Sequence, residues 1–472
     1  MLHGESENKS SKTKLVRRGI VALLRLMLRI FYRHIEVAGI ERVPQSGSII
    51  YVLNHPNGLV DPVFVMCLTS RPVSFLAKST LFRLPVMRYF VRALDSIPVY
   101  RKQDAGEDTS RNRETLEKCR ALLKQGGAIA ICPEGVSHDE PRLRPLKSGA
   151  ARIALGAASA GARKLDVRVV PCGLYYTAKT TFRSAALLYF GEPLKIEPVA
   201  LNELGEPPRD AVAEVNARIE RALREVVLNA EHEEALNTIA RAERIFSAEQ
   251  QEQERDGGQE ENDKPSLARE FELRRRFIEG YAFLRARAPE RLLTLTSRIT
   301  RYEEELNQVG INPRDLTVPE SLAAAVRRAV RRTVPSLLLM PLALFGTVIH
   351  YPAYKLAGFV AHKFSGNYDD VISTIKILAA TLLFPLTWGA LAALCYVWLD
   401  WKYALVSLIV APLAGYAAVR FYEELDRFIA GARVLLFFIT RRWFFKKLLV
   451  ERRAIHEEIL SLGDEAVSEG GN

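Results

Sequence analysis

A histidine and an aspartate stand six positions apart at the end of an apolar run. His55 and Asp61 follow Ile49–Leu53, a stretch typical of a buried strand, and Pro56–Gly58 between them is typical of a tight loop. Asp61 precedes Pro62, an order typical of a helix cap and the first helical residue. Catalytic residues often lie on loops at the carboxyl ends of strands, so this pair is a candidate for proton transfer. The alternative is a surface histidine beside an ordinary helix cap.

Length and composition set the broad class. The 472 residues are enough for two or three domains, and 66 Lys and Arg against 55 Asp and Glu favour an anionic partner. That partner is a nucleic acid, a phosphorylated substrate or an anionic membrane surface. No metal-ligand spacing is present, so no metal site is expected. The five cysteines have no paired spacing and indicate reduced thiols in a cytosol-facing enzyme: Cys67, Cys119, Cys132, Cys172 and Cys395.

Residues 35–200 alternate short apolar runs with helical patterns, as βαβ units do. They predict one α/β domain with a mixed or mostly parallel sheet and surrounding helices. Strands are expected near Ser48–Asn54, Val73–Ala77, Ser96–Val99, Ala128–Cys132, Arg168–Gly173 and Ala186–Phe190, with helices at Asp108–Lys124 and Lys147–Ala160.

The amino-terminal segment is basic and amphipathic. Residues 1–13 are polar and expected to be disordered, whereas residues 14–34 predict a helix lying in a membrane interface. Arg18, Arg25 and Arg29 share one face of that helix, and charges interrupt the apolar run too often for a signal peptide. The alternative is an ordinary helix packed on the α/β domain.

The remainder of the chain is predicted to be helical. Residues 201–333 indicate charged helices with a disordered linker at about 249–265, which is too polar to form a core. Residues 334–420 form a strongly apolar membrane region, and 421–472 a basic interfacial helix and tail.

Within the membrane region, Ile377–Leu399 is long enough to span a bilayer and is joined to the next apolar segment by only Asp400–Lys402, which predicts a hairpin. The preceding segment contains several prolines and His350, so it is expected to be interfacial or re-entrant. Three true spans are the alternative. Arginine and lysine clusters flank the region on both sides, which favours an even number of crossings and a catalytic domain facing the cytoplasm.

Four motifs follow one another in the α/β domain, and any one of them alone is weak. The first is His55 with Asp61; the second is Ile97–Lys102, which ends in two cations. The third is Pro133-Glu134-Gly135 followed by His138 and a basic run, and the fourth is Val169–Leu174. In order and spacing they resemble the glycerolipid acyltransferase superfamily.

One feature departs from the common pattern of that superfamily. Five residues separate His55 from Asp61, where four are usual. This variant resembles the branch of fungal glycerol-3-phosphate and dihydroxyacetone-phosphate acyltransferases. Pro133–Asp139 and Leu146–Ala150 are similar to the same branch, as are membrane segments after the catalytic domain.

The resemblance implies acyl transfer from a thioester to an alcohol. His55 would be the general base, Asp61 would fix its tautomer, and Cys132 would not act as a nucleophile. Glu134 and Gly135 would shape the acceptor site. The acceptor's phosphate would be bound first by Arg101, and the further candidates for this role are Lys147, Arg144, Lys102 and Lys78. His138 is either a second polar contact or a loop residue.

The function predicted in this way is membrane-bound glycerol-3-phosphate O-acyltransferase activity in phospholipid biosynthesis. The co-substrate would be acyl-CoA or acyl-ACP, with no bound cofactor; the partners would be membrane lipids, the acceptor and the donor. Acylation of 1-acyl-glycerol-3-phosphate is the first alternative, and transfer to dihydroxyacetone phosphate is another. A non-catalytic membrane tether is the competing class. A nucleic-acid role is disfavoured because the cations cluster beside apolar segments and no binding motif is present.

Overall fold

A computed structural model gives the fold of this chain as two compact units. The first comprises residues 1–229 and 365–377, and the second comprises 230–364 and 378–472. The structure describes residues 2–470 except for a few short segments, which are 86, 105, 139, 161–164, 231–232, 257–265, 317–321 and 367–368.

The first unit contains an eight-stranded sheet covered by helices. The strands are β1 (His34–Ala38), β2 (Ser48–Leu53), β3 (Val73–Lys78), β4 (Ile97–Val99), β5 (Ala128–Ile131), β6 (Val167–Tyr176), β7 (Ala185–Phe190) and β8 (Leu194–Ile196). The helices are α1 (Leu2–Phe31), α2 (Val60–Leu68), α3 (Met87–Ala93), α4 (Asn112–Lys124), α5 (Gly149–Ser159) and α6 (Arg209–Val226).

The sheet is mostly parallel, which confirms the predicted fold class. Its strand order is β1-β7-β6-β2-β5-β3-β4, and β8 pairs with β6 at the side. Only β6 with β7 and β6 with β8 are antiparallel. The six expected strands are all present, whereas β1 and β8 were not expected from the sequence. They are short edge strands whose pairing depends on distant residues.

Strand β2 lies at the centre of the sheet, and all six of its residues are buried. Side chains alternate between the two faces of a strand, so β2 contributes to two separate cores. Tyr51 and Leu53 pack with α2 and the end of α1, while Ile50 and Val52 pack with α4, α5 and α6. Helices therefore cover both faces, as in parallel sheets generally, and this holds the end of β2 firmly.

A distant segment completes the first unit. Residues 365–377 include the start of the helix α11 (Asp369–Trp398), and Ile377 packs against the core that contains α2. The Ser373 hydroxyl donates to the carbonyl of Lys179, and Lys376 Nζ donates to the carbonyl of Thr180 at 2.7 Å. This segment therefore holds the loop that follows β6.

Helix α1 begins at Leu2, within the stretch that was expected to be disordered, and it packs on α2 and α3. Arg25, expected on a shared basic face with Arg18 and Arg29, donates to the carbonyl of Cys67 at 2.6 Å. Leu28 and Phe31 are buried in the core of the unit. Helix α1 thus packs on the domain on one side and keeps an exposed apolar stripe at Leu23, Leu26 and Ile30.

The second unit is helical throughout its described residues. Its helices are α7 (Glu233–Asp256), α8 (Leu267–Arg287), α9 (Pro289–Val309), α10 (Leu322–Phe364), the remainder of α11, α12 (Trp401–Thr440) and α13 (Arg442–Gly470). Helices α7, α8, α9 and α13 share one apolar core with the end of α12. Arg452, expected among the cations flanking the membrane, is buried in this unit, where its Nε donates to Glu249 at 2.7 Å.

The expected linker at 249–265 overlaps the end of α7. Residues to Asp256 are helical, and residues 257–265 lie outside the described part of the chain. The helix extends this far because Ala248 and Glu249 are buried against the rest of the unit.

The first apolar segment is one continuous helix of 43 residues, α10, so the expected re-entrant turn is absent from its described residues. The prolines lie inside the helix, where neighbouring groups in apolar environments compensate for the missing N–H bonds. His350 is held by its neighbours, since its Nδ1 donates to the Gly346 carbonyl and its Nε2 accepts from Trp388. In the part of the chain that the structure describes, three helical segments are long and apolar enough to cross a membrane, namely Leu337–Phe364, Val371–Trp398 and Trp401–Thr440.

Candidate active site

The structure brings His55 and Asp61 into direct contact. His55 follows the end of β2, and its Nδ1 lies 2.9 Å from Asp61 Oδ2. Asp61 is fully buried, whereas the side chain of His55 remains 18% exposed. The sequence predicted Asp61 as the cap of helix α2. The helix begins at Val60, however, so Asp61 lies in its first turn. The carboxylate turns back towards the loop, near the positive end of the helix dipole.

Asp61 accepts hydrogen bonds from three different segments. Besides His55, the backbone N–H of Asn57 donates to Oδ2 at 2.7 Å, and the Tyr176 hydroxyl donates to Oδ1 at 2.6 Å. Each donor stabilises the ionised carboxylate, which has no access to water. The five-residue spacing therefore leaves the histidine and the carboxylate in hydrogen-bonding geometry.

The surroundings of His55 favour its protonated form. Burial by itself would lower the pKa of His55, but Cys132 and Asp61 raise it, and the resulting pKa lies well above the usual histidine value. Burial raises the pKa of the Cys132 thiol, so this thiol is uncharged at neutral pH. The Asp61 carboxylate is then the charge that stabilises the imidazolium.

A second histidine and carboxylate pair lies beside the first. His138 Nε2 donates to Glu134 Oε2 at 2.5 Å, and the backbone N–H of Arg144 donates to the same oxygen at 2.8 Å. The backbone N–H of His138 donates to the carbonyl of His55 at 3.2 Å. A small cavity of about 40 Å³ joins the two pairs, with a lining that includes His55, Glu134, His138 and Arg142.

Gly135 adopts a left-handed conformation with φ of +77°, which favours glycine. A Cβ atom at this position would overlap the side chain of Lys147. The glycine thus lets Lys147 lie directly against the loop that carries Glu134.

Arg101 is held in place at the side of this loop. Its Nη1 donates to the Gly135 carbonyl at 3.0 Å, and its Nε and Nη2 donate to the two oxygens of Asp104 at 3.0 and 3.1 Å. Lys78 Nζ also lies 3.1 Å from Asp104. Burial alone would raise the pKa of Asp104, but Arg101 and Lys78 outweigh it and lower the pKa.

The remaining predicted cations are arranged less favourably for a shared site. The guanidinium of Arg144 pairs with Glu140 at 2.7 Å, where both side chains are well exposed. Lys102 is exposed. The structure therefore places Arg101 and Lys147 against the Glu134 loop. Lys78 is joined to Arg101 through Asp104, while the side chains of Arg144 and Lys102 are exposed.

Sequence reasoning missed Asn57, Tyr176 and Asp104. In the sequence, Asn57 indicates only a loop residue. Tyr176 ends an apolar strand, and its hydroxyl alone does not indicate a functional role. Asp104 stands three residues after Arg101 and offered a recognisable pattern for holding a guanidinium. The contact of Tyr176 with Asp61 joins residues 115 positions apart and has no local signature.

Comparisons with known proteins agree with this geometry. Residues 34–175 match the family described as Acyltransferase, and residues 258–466 match the Glycerol-3-phosphate acyltransferase 2 C-terminal domain. The chain is therefore similar to acyltransferases in one part and to glycerol-3-phosphate acyltransferases in the other. Its acyltransferase domain carries the His55–Asp61 pair, and the C-terminal domain covers most of the second unit.

Three relatives show how the similarity to this acyltransferase is distributed. Glycerol-3-phosphate O-acyltransferase 1 of Saccharomyces cerevisiae is 26% identical, over 93% of this chain and 70% of its own. Glycerol-3-phosphate O-acyltransferase 2 of the same yeast is 23% identical, over 82% of this chain and 67% of its own. The chloroplastic 1-acyl-sn-glycerol-3-phosphate acyltransferase LPAT1 of Arabidopsis thaliana is 28% identical, over 32% of this chain and 38% of its own.

A solved structure is also similar to this acyltransferase. The 1-acyl-sn-glycerophosphate acyltransferase PlsC from Thermotoga maritima matches with a TM-score of 0.34 and 19% identity, covering 46% of this chain and 81% of that one.

Proposed function

We propose that this acyltransferase transfers an acyl group from a thioester to a hydroxyl of glycerol 3-phosphate, with His55 as the general base. The observation that carries the proposal is the buried His55–Asp61 pair in a chain similar to yeast glycerol-3-phosphate acyltransferases over most of its length. Similarity to 1-acylglycerol-3-phosphate acyltransferases extends over only about a third of the chain, so acylation of that acceptor is the second candidate.

The reaction needs one proton acceptor next to the attacking hydroxyl. The acceptor's oxygen attacks the thioester carbonyl carbon while its proton passes to His55 Nε2. The tetrahedral intermediate then collapses, the carbon–sulfur bond breaks, and the thiol leaves with the proton from His55. Asp61 keeps the other ring nitrogen, Nδ1, protonated and stabilises the imidazolium throughout. The uncharged Cys132 thiol takes no part as a nucleophile.

Arg101, Lys78 and Lys147 are proposed to bind the acceptor's phosphate. Arg101 is held by Asp104 and the Gly135 carbonyl, which presents its guanidinium at a fixed position beside the Glu134 loop. A planar guanidinium and one or two ammonium groups suit the oxygens of a phosphate dianion. The acyl donor in this proposal is acyl-CoA or acyl-ACP.

Acceptor selectivity tests the proposal directly. Purified full-length protein in liposomes would receive one labelled acyl-CoA with glycerol 3-phosphate, dihydroxyacetone phosphate or 1-acyl-glycerol-3-phosphate. We expect product mainly from glycerol 3-phosphate. Product mainly from 1-acyl-glycerol-3-phosphate would establish the second candidate instead, and no product with acyl-CoA or acyl-ACP would favour a membrane tether.

The rate of transfer is expected to rise with pH beyond the normal range of histidine. Only neutral His55 can accept the hydroxyl's proton, and its pKa is raised, so the acidic limb of the kcat profile should lie above pH 6.5. Activity should fall as pH decreases through this raised value. A pH profile of kcat measured at saturating substrates checks this; a limb below pH 6 would contradict the proposed state of the base.

We also propose that the catalytic unit faces the cytoplasm at a membrane surface. The exposed stripe of Leu23, Leu26 and Ile30 on α1 suits insertion into the lipid interface. Arginine clusters flank the apolar helices on both sides, which favours two crossings. Labelling of introduced cysteines in sealed vesicles should place the catalytic unit and the carboxyl terminus on the same face; opposite faces would rule out two crossings.

A further inference from the structure

The loop between His55 and Asp61, which is one residue longer than the usual four, is held in place by hydrogen bonds of Asn57. Asn57 is fully buried, its backbone N–H donates to Asp61, and its side-chain Nδ2 donates to the Tyr32 hydroxyl at 3.2 Å. Tyr32 follows α1 directly and is itself 1% exposed. Hydrogen bonds of Asn57 thereby connect Tyr32, at the end of α1, to the carboxylate of Asp61.

Tyr176 supports the same carboxylate from the opposite direction. It ends β6, and its ring packs 5.7 Å from the rings of both Tyr32 and Phe64, measured between centroids. The hydroxyl lies in an otherwise apolar core, where an unpaired polar group is costly, and Asp61 Oδ1 is its partner at 2.6 Å. The loop after Tyr176 is held in turn by Ser373 and Lys376.

We infer that Tyr176 is a positioning residue, which together with Tyr32 and Asn57 fixes Asp61 against His55 and shares the charge of its carboxylate. The inference rests on the proposed role of His55 as the base. Without the Tyr176 hydroxyl, more of the negative charge on Asp61 acts on His55, which would then hold its proton more tightly. The carboxylate would also be held through Oδ2 alone, by His55 and Asn57, so fewer molecules would have the productive geometry.

Other titratable groups face this pair and remain in place in the variants that test the inference. Cys132 lies against the His55 ring, and the Glu134–His138 pair adjoins it through the backbone of His55. Tyr32 faces Asp61 next to Tyr176, and burial raises the pKa of both phenols far above neutrality, so neither ionises in the working range. A change in the pH profile of a Tyr176 variant therefore reports on His55 and Asp61.

The experiment compares Tyr176→Phe and Tyr32→Phe with the unaltered full-length protein in liposomes. Tyr176→Phe removes one oxygen and keeps the ring, and we expect kcat at pH 7 to fall by about tenfold, with the KM for acceptor and donor changed less than about twofold. Its acidic limb should move to higher pH by roughly half to one pH unit. Tyr32→Phe should cause a smaller loss of kcat, because it acts on Asp61 only through Asn57.

Tyr51→Phe is the control, since Tyr51 lies on β2 and is buried in the same core against which Tyr176 packs. It should leave the pH profile unchanged. The inference is overturned if Tyr176→Phe keeps full activity, or if its loss is independent of pH and accompanied by the same drop in melting temperature as Tyr51→Phe. Retained activity in His55→Ala, measured in parallel, would instead overturn the proposed function.

Discussion

His55→Ala is expected to lower kcat by about a thousandfold while leaving the KM for both substrates nearly unchanged. Removal of the imidazole takes away the proton acceptor that Asp61 orients, and general-base catalysis typically contributes about 10²- to 10⁴-fold. The side chain is mostly buried, but its loss leaves Asp61 with two donors, Asn57 and Tyr176. Steady-state kinetics with glycerol 3-phosphate as acceptor measures the effect.

The matched control for this prediction is His34→Ala. His34 lies on the edge strand β1, and its side chain is 44% exposed beside Glu36, at 3.5 Å. Its removal should leave kcat unchanged. Full activity in His55→Ala, with normal activity in the control, would show that another group accepts the proton.

Arg101→Ala is expected to raise the KM for the phosphate-bearing acceptor by between about tenfold and a hundredfold. A hydrogen bond to a charged group contributes roughly 1.5 to 3 kcal/mol, which corresponds to this range. The KM for the acyl thioester should be unaffected, because the donor's carbonyl needs no contact with this guanidinium. Arg101→Lys should recover only part of the loss, since an ammonium group lacks the planar fork.

Arg113→Ala provides the control for Arg101. Arg113 belongs to α4 and forms an exposed pair with Glu117 at 3.5 Å, where it is well accessible to solvent. Kinetics with varied acceptor at saturating donor should show no change. If Arg101→Ala changed the two KM values equally, Arg101 would be a support of the Glu134 loop and not a ligand of the phosphate.

The sequence was most informative where function depends on neighbouring residues. His55 and Asp61 are six residues apart, so their proton-transfer chemistry was predictable from the local sequence. The apolar run of β2 ends just before His55, so the position of the pair at the end of a strand was predictable as well. Residues whose role depends on distant partners could not be predicted from the sequence. Tyr176 reaches Asp61 only because β6 pairs with β2 in register, which places Cys172 opposite Leu53.

Distant partners also explain why the helical parts of the structure differ from the sequence predictions. An acidic, glutamine-rich stretch was expected to be a linker, yet it is helical to Asp256 because Glu249 pairs with Arg452, 203 residues away. Prolines suggested a re-entrant turn in α10, but packing with α12 stabilises a continuous helix, with the Gly346 backbone lying against Ala414. These stabilising contacts are tertiary contacts, and the local composition of either segment does not predict them.

The contribution of residues 365–377 to the first unit has a consequence for biosynthesis. All eight strands have been synthesised once Ile196 has been made, but the segment that supports the loop after Tyr176 is translated more than a hundred residues later. At about 5 to 20 residues per second, this delay lasts roughly 10 to 35 seconds. The apolar helix α10 is synthesised during that interval, so the loop after Tyr176 acquires the support of Ser373 and Lys376 only after α10 has been made.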